Sequence, residues 1–131
     1  MDKKQGTLHD LKDKPEFHWK TSRLWIVDMM IRMSRAVFTL HNLNIIHTDL
    51  KLENFLMENN FYPVLSDFGF SFDKTLFDED KIIINEVSGT ENYFAPELKK
   101  RDKKGKIRYS FASDIYSLGV CFFFLSIKKM Y

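Results

Sequence analysis

The sequence predicts an α+β chain, mostly helical, with a small β layer inserted after one long helix. Three observations predict it. From about residue 22 to 41 the apolar residues Ile26, Met30, Met33, Val37 and Leu40 recur at spacings of four and three, with Val27 and Ile31 widening the stripe. Such spacing marks an amphipathic helix with a buried face. Short apolar pieces at 43–46, 55–57 and 63–65 follow, separated by polar turns such as Glu58-Asn59-Asn60, and these have the form of short strands. From about Ala112 the pattern is helical again.

Taken in order, the first long helix can be capped by Thr21 or Ser22 and ended by Asn42 or Asn44. Its methionine-rich stripe is expected in the core. After the short strands comes a loop rich in charges and aromatics over 69–80, and 81–85 can add one more short strand. The most apolar run, 115–127, falls short of the roughly 20 residues that a helix needs to span a bilayer, so a buried helix is expected instead. The chain stops soon after it, at Tyr131, with no C-cap and no polar tail, an ending that suggests truncation.

Composition narrows the function. The 131 residues carry 20 Lys plus Arg against 18 Asp plus Glu, a formal net charge of +2, with 44% hydrophobic and 15% aromatic residues. That describes one soluble globular unit. It lacks the one-sided basic excess of a nucleic-acid-binding domain, so nucleic acid is not an expected partner. A lone cysteine, Cys121, excludes an internal disulfide and any multi-cysteine metal site, and it suits a reducing compartment. The polar start, MDKKQGTLHDLKDK, has no signal-peptide core. A cytoplasmic or nuclear location is the expectation.

The chemistry concentrates in Ile45-Ile46-His47-Thr48-Asp49-Leu50-Lys51-Leu52-Glu53-Asn54, where buried and polar positions alternate across a tight loop. Asp49, Lys51 and Asn54 can converge on one side of it. A carboxylate able to accept a proton, an ammonium able to hold a phosphate and an amide oxygen able to ligate a hard cation form a phosphoryl-transfer set. A solvated loop with an internal Asp–Lys pair accounts for the same spacing. Ser66-Asp67-Phe68-Gly69, directly after the apolar Val64-Leu65, adds a carboxylate at a strand end followed by a packing Phe and a flexible Gly. This is a fitting way to present a second magnesium ligand.

With these residues the sequence resembles the C-terminal catalytic lobe of eukaryotic protein kinases. HTDLKLEN looks like the catalytic loop H-R-D-L-x-x-x-N, and Asp67-Phe68-Gly69 is like the D-F-G motif. Gly89-Thr90-Glu91-Asn92-Tyr93-Phe94-Ala95-Pro96-Glu97 looks like the G-T-x-x-Y-x-A-P-E that closes the activation segment, and Asp114-Ile115-Tyr116-Ser117-Leu118-Gly119-Val120 resembles the D-x-x-S-L-G-V helix that anchors the lobe. Gly6-Thr7-Leu8 resembles the start of the helix after the hinge, so residues 1–131 would form a partial kinase domain. The resemblance implies a mostly helical C-terminal lobe with short β-hairpins around the catalytic loop, with the N-terminal lobe absent.

The resemblance also implies roles. Asp49 would orient the substrate hydroxyl and accept its proton, Lys51 would steady the transferring phosphoryl group, and Asn54 and Asp67 would hold magnesium. Leu56 would lie beneath the adenine of ATP. His47 and Phe68 would belong to an internal hydrophobic spine, and Asp114 would hydrogen-bond amides of the catalytic loop. Lys51 and Thr90 resemble serine/threonine kinases, so a protein substrate with Ser or Thr is expected. The pattern departs at Thr48, which stands where most members have arginine, and at Leu52, which replaces a proline. Threonine cannot pair with a phosphorylated activation segment, so activity is expected not to require phosphorylation at Thr75, Ser88 or Thr90.

No G-x-G-x-x-G loop or V-A-I-K lysine occurs in the sequence, and the arginine expected to pair with Glu97 is not present either. Both terminal helices are therefore expected to leave apolar faces uncovered, and the 131-residue chain alone to be poorly folded. A pseudokinase-like binding module is the alternative function. A metal-dependent hydrolase using His41, His47 and Asp49 leaves Gly89 to Glu97 and Asp114 to Val120 without a purpose. The basic run Lys99-Lys100-Arg101 with Lys103-Lys104 is expected to be a solvated loop.

Overall fold

In the computed structural model, residues 6–12, 23–58, 62–76, 82–84 and 89–127 are described, with side chains omitted at 11–12 and 82–84. The elements are α1 (Leu8–Lys12), α2 (Arg23–Asn42), β1 (Ile45–Ile46), β2 (Phe55–Met57), β3 (Pro63–Leu65), β4 (Phe72–Asp73), β5 (Ile82–Ile84), β6 (Ile107–Tyr109) and α3 (Phe111–Ser126), with single 3₁₀ turns between several of them. The chain is a small α+β unit.

Local chemistry explains the element ends. Thr7 and Asp10 exchange hydrogen bonds at the head of α1, the Thr7 amide to Asp10 Oδ2 at 2.9 Å and the Asp10 amide to Thr7 Oγ1 at 3.2 Å. Helix α2 stops where Asn44 takes a left-handed φ of 58° and its amide closes on the His41 carbonyl at 2.9 Å. Thr21 and Ser22, the expected caps at its other end, lie outside the described residues. At the head of α3, Ser113 Oγ accepts the Ser110 amide at 3.0 Å.

Among the described residues the strands pair in three antiparallel ribbons, β1 with β4, β2 with β3 and β5 with β6. In β2–β3, Phe55 lies opposite Leu65 and Met57 opposite Pro63. In β5–β6, Ile82 faces Tyr109 and Ile84 faces Ile107, which ties the segment after the Asp67 turn to the strand feeding α3.

The main core gathers Met29, Met33 and Val37 of α2, Leu50, Leu52, Phe55 and Met57 of the loop and β2, and Leu118, Cys121 and Leu125 of α3. A second cluster joins Ile46, Ala95, Leu98, Ile107 and Tyr109. Burial and a nearby Glu53 charge push the Cys121 thiol well up, so it stays protonated as a small apolar side chain.

Two expectations need correction. Met29 joins Met33, Val37 and Leu40 in the fully buried stripe of α2, Ile26 and Met30 pack half-buried against the same core, and Val27 and Ile31 are 51% and 47% exposed. The run at 115–127 is buried on one face only, because Ile115, Phe123 and Ile127 point outward. A helix packed on one side buries about 100° of its surface, so several of the apolar residues in 115–127 are left on the open side.

Of these outward residues, Val27, Ile31 and Ile115 line open apolar hollows. One of about 450 Å³ is bounded by Val27, Met30, Ile31, Ser34, Arg35 and Phe38. Another of about 450 Å³ lies between α2 and α3, bounded by Ser34, Phe38, His41, Ile115, Leu118, Gly119 and Phe122. Exposed apolar area of this kind drives association. The isolated 131-residue chain is expected to self-associate and to bind a hydrophobic dye, checked by sedimentation and dye fluorescence; a dye-silent monomer with a sharp thermal transition would contradict this. No helix among the described residues is long and apolar enough to cross a membrane.

Candidate active site

The loop between β1 and β2 carries the site, and Asp114 at the start of α3 holds it from beneath. The Asp114 carboxylate, 1% exposed, accepts the His47 amide on Oδ2 at 2.8 Å and the Thr48 amide on Oδ1 at 2.9 Å. His41, from the last turn of α2, places Nε2 at 2.8 Å from Asp114 Oδ2. Burying a carboxylate is costly unless it is fully hydrogen-bonded, and here two amides and an imidazole do so. Among the described residues no buried side-chain nitrogen or oxygen lacks a partner.

Held in this way, the loop turns at Thr48, whose φ of 71° is left-handed. Its hydroxyl donates to the Phe70 carbonyl at 2.9 Å. His47 is fully buried, with Nε2 at 2.9 Å from the Ser66 carbonyl, Nδ1 accepting the Asp49 amide at 3.2 Å, and its ring edge-on to Phe68 at 5.2 Å. Both ring nitrogens are occupied, one by the loop's own Asp49 amide and the other by the Ser66 carbonyl beyond β3. His47 is thus a packed core histidine, and the described residues contain no group of three or more His, Cys, Asp or Glu able to hold a metal.

Asp49, 6% exposed, stands at the centre of a polar cluster. Thr90 Oγ1 donates to Asp49 Oδ1 at 3.1 Å, and Lys51 Nζ donates to the same hydroxyl at 2.9 Å while lying 3.7 Å from Asp49 Oδ2. Asn54 Nδ2 donates to the Asp49 carbonyl at 2.8 Å and approaches its Oδ2 at 3.4 Å. With Nδ2 so engaged, the amide oxygen is the Asn54 atom left to meet a cation. Thr90, marked in the sequence by its place before Ala95-Pro96-Glu97 and, with Lys51, by its likeness to serine/threonine kinases, is the hinge of this network. No spacing rule could have joined it to Asp49, 41 residues away.

Close approach explains Gly89. Its φ is +107°, and a Cβ there would sit 2.9 Å from the Thr48 carbonyl, 3.2 Å from Phe94 Cε1 and 3.4 Å from Asp49 Oδ1. Only glycine lets the segment carrying Thr90 lie against the catalytic loop.

Asp67 follows the β2–β3 hairpin. Ser66 donates to the Asn54 carbonyl through its amide at 2.9 Å and its hydroxyl at 3.1 Å, so Asn54 and Asp67 leave the same end of the hairpin. Asp67 is exposed and left-handed at φ 60°. An exposed carboxylate and an amide oxygen are hard donors, and Mg²⁺ takes one or two such ligands together with waters and phosphate oxygens. The donor set fits that ion. Leu56, half-buried in β2, bridges to Thr7, and the Met57 amide donates to the Gly6 carbonyl at 2.8 Å.

Comparison with known proteins decides the family. The family model for the protein kinase domain matches residues 3–131. The chain belongs to the protein kinase family. It is 37% identical over 124 residues to the liver/testis gamma catalytic chain of phosphorylase b kinase from Bos taurus, covering 93% of this chain and 29% of that one. It is 32% identical over 102 residues to serine/threonine-protein kinase MRCK alpha of Mus musculus, covering 78% of this chain and 6% of the relative. Serine/threonine-protein kinase PLK4 of Nematostella vectensis is 34% identical over 101 residues, 77% of this chain and 10% of the relative. The kinase chain thus spans under a third of the length of each. Kinases of this family transfer the γ-phosphoryl group of ATP with Mg²⁺.

Proposed function

We propose that the chain is the C-terminal catalytic lobe of an ATP-dependent protein serine/threonine kinase, with the protein substrate's Ser or Thr hydroxyl as acceptor. The observation that carries this reading is the closed network of Asp49, Thr90, Lys51 and Asn54, with its distances of 2.8–3.7 Å. Asp49 orients the incoming hydroxyl and takes its proton on the buried carboxylate. Lys51, three-quarters buried, brings its ammonium to the phosphoryl group being transferred. Its present partner, the Thr90 hydroxyl, keeps it extended toward that position. When bound, Mg²⁺ with ATP supplies charge neutralisation at the phosphates. The Asn54 amide oxygen and the Asp67 carboxylate would hold it. Leu56 offers an apolar floor for the adenine.

Positioning and charge carry most of the rate in this chemistry. The test is transfer of labelled phosphate from ATP to a Ser- or Thr-containing protein by the full-length product. Transfer to tyrosine alone would refute the substrate class. Absence of transfer with MgATP binding retained would favour the pseudokinase-like binding module.

Phosphorylation of the activation segment is not required in this reading. Thr48 offers no cation to a phosphate, and β5–β6 pairing already fastens the segment. Thr75 is also engaged, since both its amide and its hydroxyl donate to Asp73 Oδ1, at 2.9 Å and 2.6 Å. Those two bonds hold the Asp73 carboxyl below its usual range. A phosphate on Thr75 would face that carboxylate and be repelled. Full-length protein stripped by a phosphatase is expected to keep its activity to within about twofold, whereas segment-ordering phosphates change it far more. Inactivity that only rephosphorylation restores would overturn the expectation.

A further inference from the structure

We infer that Thr48 is a positioning residue whose hydroxyl, through the Phe70 carbonyl, fixes the turn that carries Asp67. The inference rests on the proposed pairing of Asp49 and Asp67 in one phosphoryl-transfer site. Its ground is a clasp made by two consecutive residues. His47 Nε2 lies 2.9 Å from the Ser66 carbonyl, and Thr48 Oγ1 donates to the Phe70 carbonyl at 2.9 Å. Ser66 and Phe70 bracket Asp67-Phe68-Gly69, so one jaw grips each limb of the turn.

Three features make the clasp a built device. Its base is fixed, because Asp114 takes the backbone amides of both residues. The turn between the jaws is closed on itself, with the Ser71 amide donating to the Phe68 carbonyl at 3.0 Å. Thr48 also holds a φ of 71°, a region that β-branched residues enter only when their surroundings over-determine it. Glycine or asparagine would take that backbone with less strain. Neither would place a stiff hydroxyl 2.9 Å from the Phe70 carbonyl, and the short threonine does so while remaining 6% exposed.

Loss of the hydroxyl releases the Phe70 limb while His47 still holds the Ser66 limb. Asp67 then keeps its place in the chain and loses its fixed distance to Asp49. Full-length protein carrying Thr48→Val, which keeps the branch and removes the hydroxyl, is compared with Thr48→Ser, which keeps the hydroxyl. Thr48→Ala serves as a second hydroxyl-free variant with less backbone strain, should the valine variant fail to fold.

Amide hydrogen exchange in the peptide covering residues 66–72 is expected to quicken about fivefold to tenfold in the hydroxyl-free variants, the scale of one lost hydrogen bond. Exchange in α2 is expected to stay unchanged, and the serine variant to match the parent. kcat for ATP-dependent transfer is expected to fall by a similar factor only in the hydroxyl-free variants. Unchanged exchange over 66–72 without the hydroxyl, or a serine variant behaving like valine, overturns the inference. If exchange responds as expected and the parent transfers no phosphate, the clasp stands and the kinase reading fails instead.

Discussion

Asp49→Asn in the full-length protein is expected to lower phosphoryl transfer by about 10²–10⁴-fold, the usual contribution of a positioned general base. The exchange is nearly isosteric. The new side chain can still accept the Thr90 hydroxyl through its oxygen, so the loop has no steric reason to move. What disappears is the negative charge that faces Lys51 at 3.7 Å and the site that receives the substrate proton. An amide has no comparable basicity, and its NH₂ would oppose the Asn54 NH₂, which now approaches Asp49 Oδ2 at 3.4 Å. MgATP binding should change much less than kcat, because the ligands assigned to magnesium are Asn54 and Asp67. Steady-state kinetics with a denaturation curve on the same preparation check this. A variant with parental kcat would remove Asp49 from the mechanism, and one that is unfolded would show that the charge was needed for structure.

Much of this site was legible because its residues are close in sequence. Asp49, Lys51 and Asn54 lie within six positions, and a short loop between two strands leaves them few ways to avoid one another. Helix α2 and the β2–β3 hairpin were legible for the same local reason, periodicity in one and a polar break between apolar pieces in the other. The partners of β1 and β5 were not, since Ile45 meets Asp73 and Ile82 meets Tyr109 only after the chain has folded. The contacts of Thr90 and His41 were not legible on the same ground, since each meets its partner from a residue far along the chain. Val27 and Ile31 show the opposite failure. Their spacing fits the buried stripe, but apolarity alone does not say which edge of a stripe meets a neighbour.

The left-handed turn at Thr48 had no sequence signal at all. A β-branched residue argues against such a backbone, and only the pair of amides on Asp114 explains how the conformation is held. That same dependence makes Asp114 the position where a single change should cost most stability. Asp114→Ala removes the acceptor of two buried amides and the partner of His41. Each buried donor left without a partner costs about 1–3 kcal/mol, so the variant is expected to lose roughly 2–6 kcal/mol, a large part of the 5–15 kcal/mol typical of a whole domain. Asp114→Asn should fall between, because its oxygen can satisfy one amide while its NH₂ confronts the other. The loss should also reach the chemistry, since the strained turn at Thr48 and the grip of His47 on Ser66 both start from those amides. Denaturant titration of the full-length protein measures the stability term, and kcat at a temperature where the variant remains folded measures the second. A folded Asp114→Ala protein with parental stability would mean that water or a backbone shift takes over both amides, and the catalytic loop would then owe its shape to something other than α3.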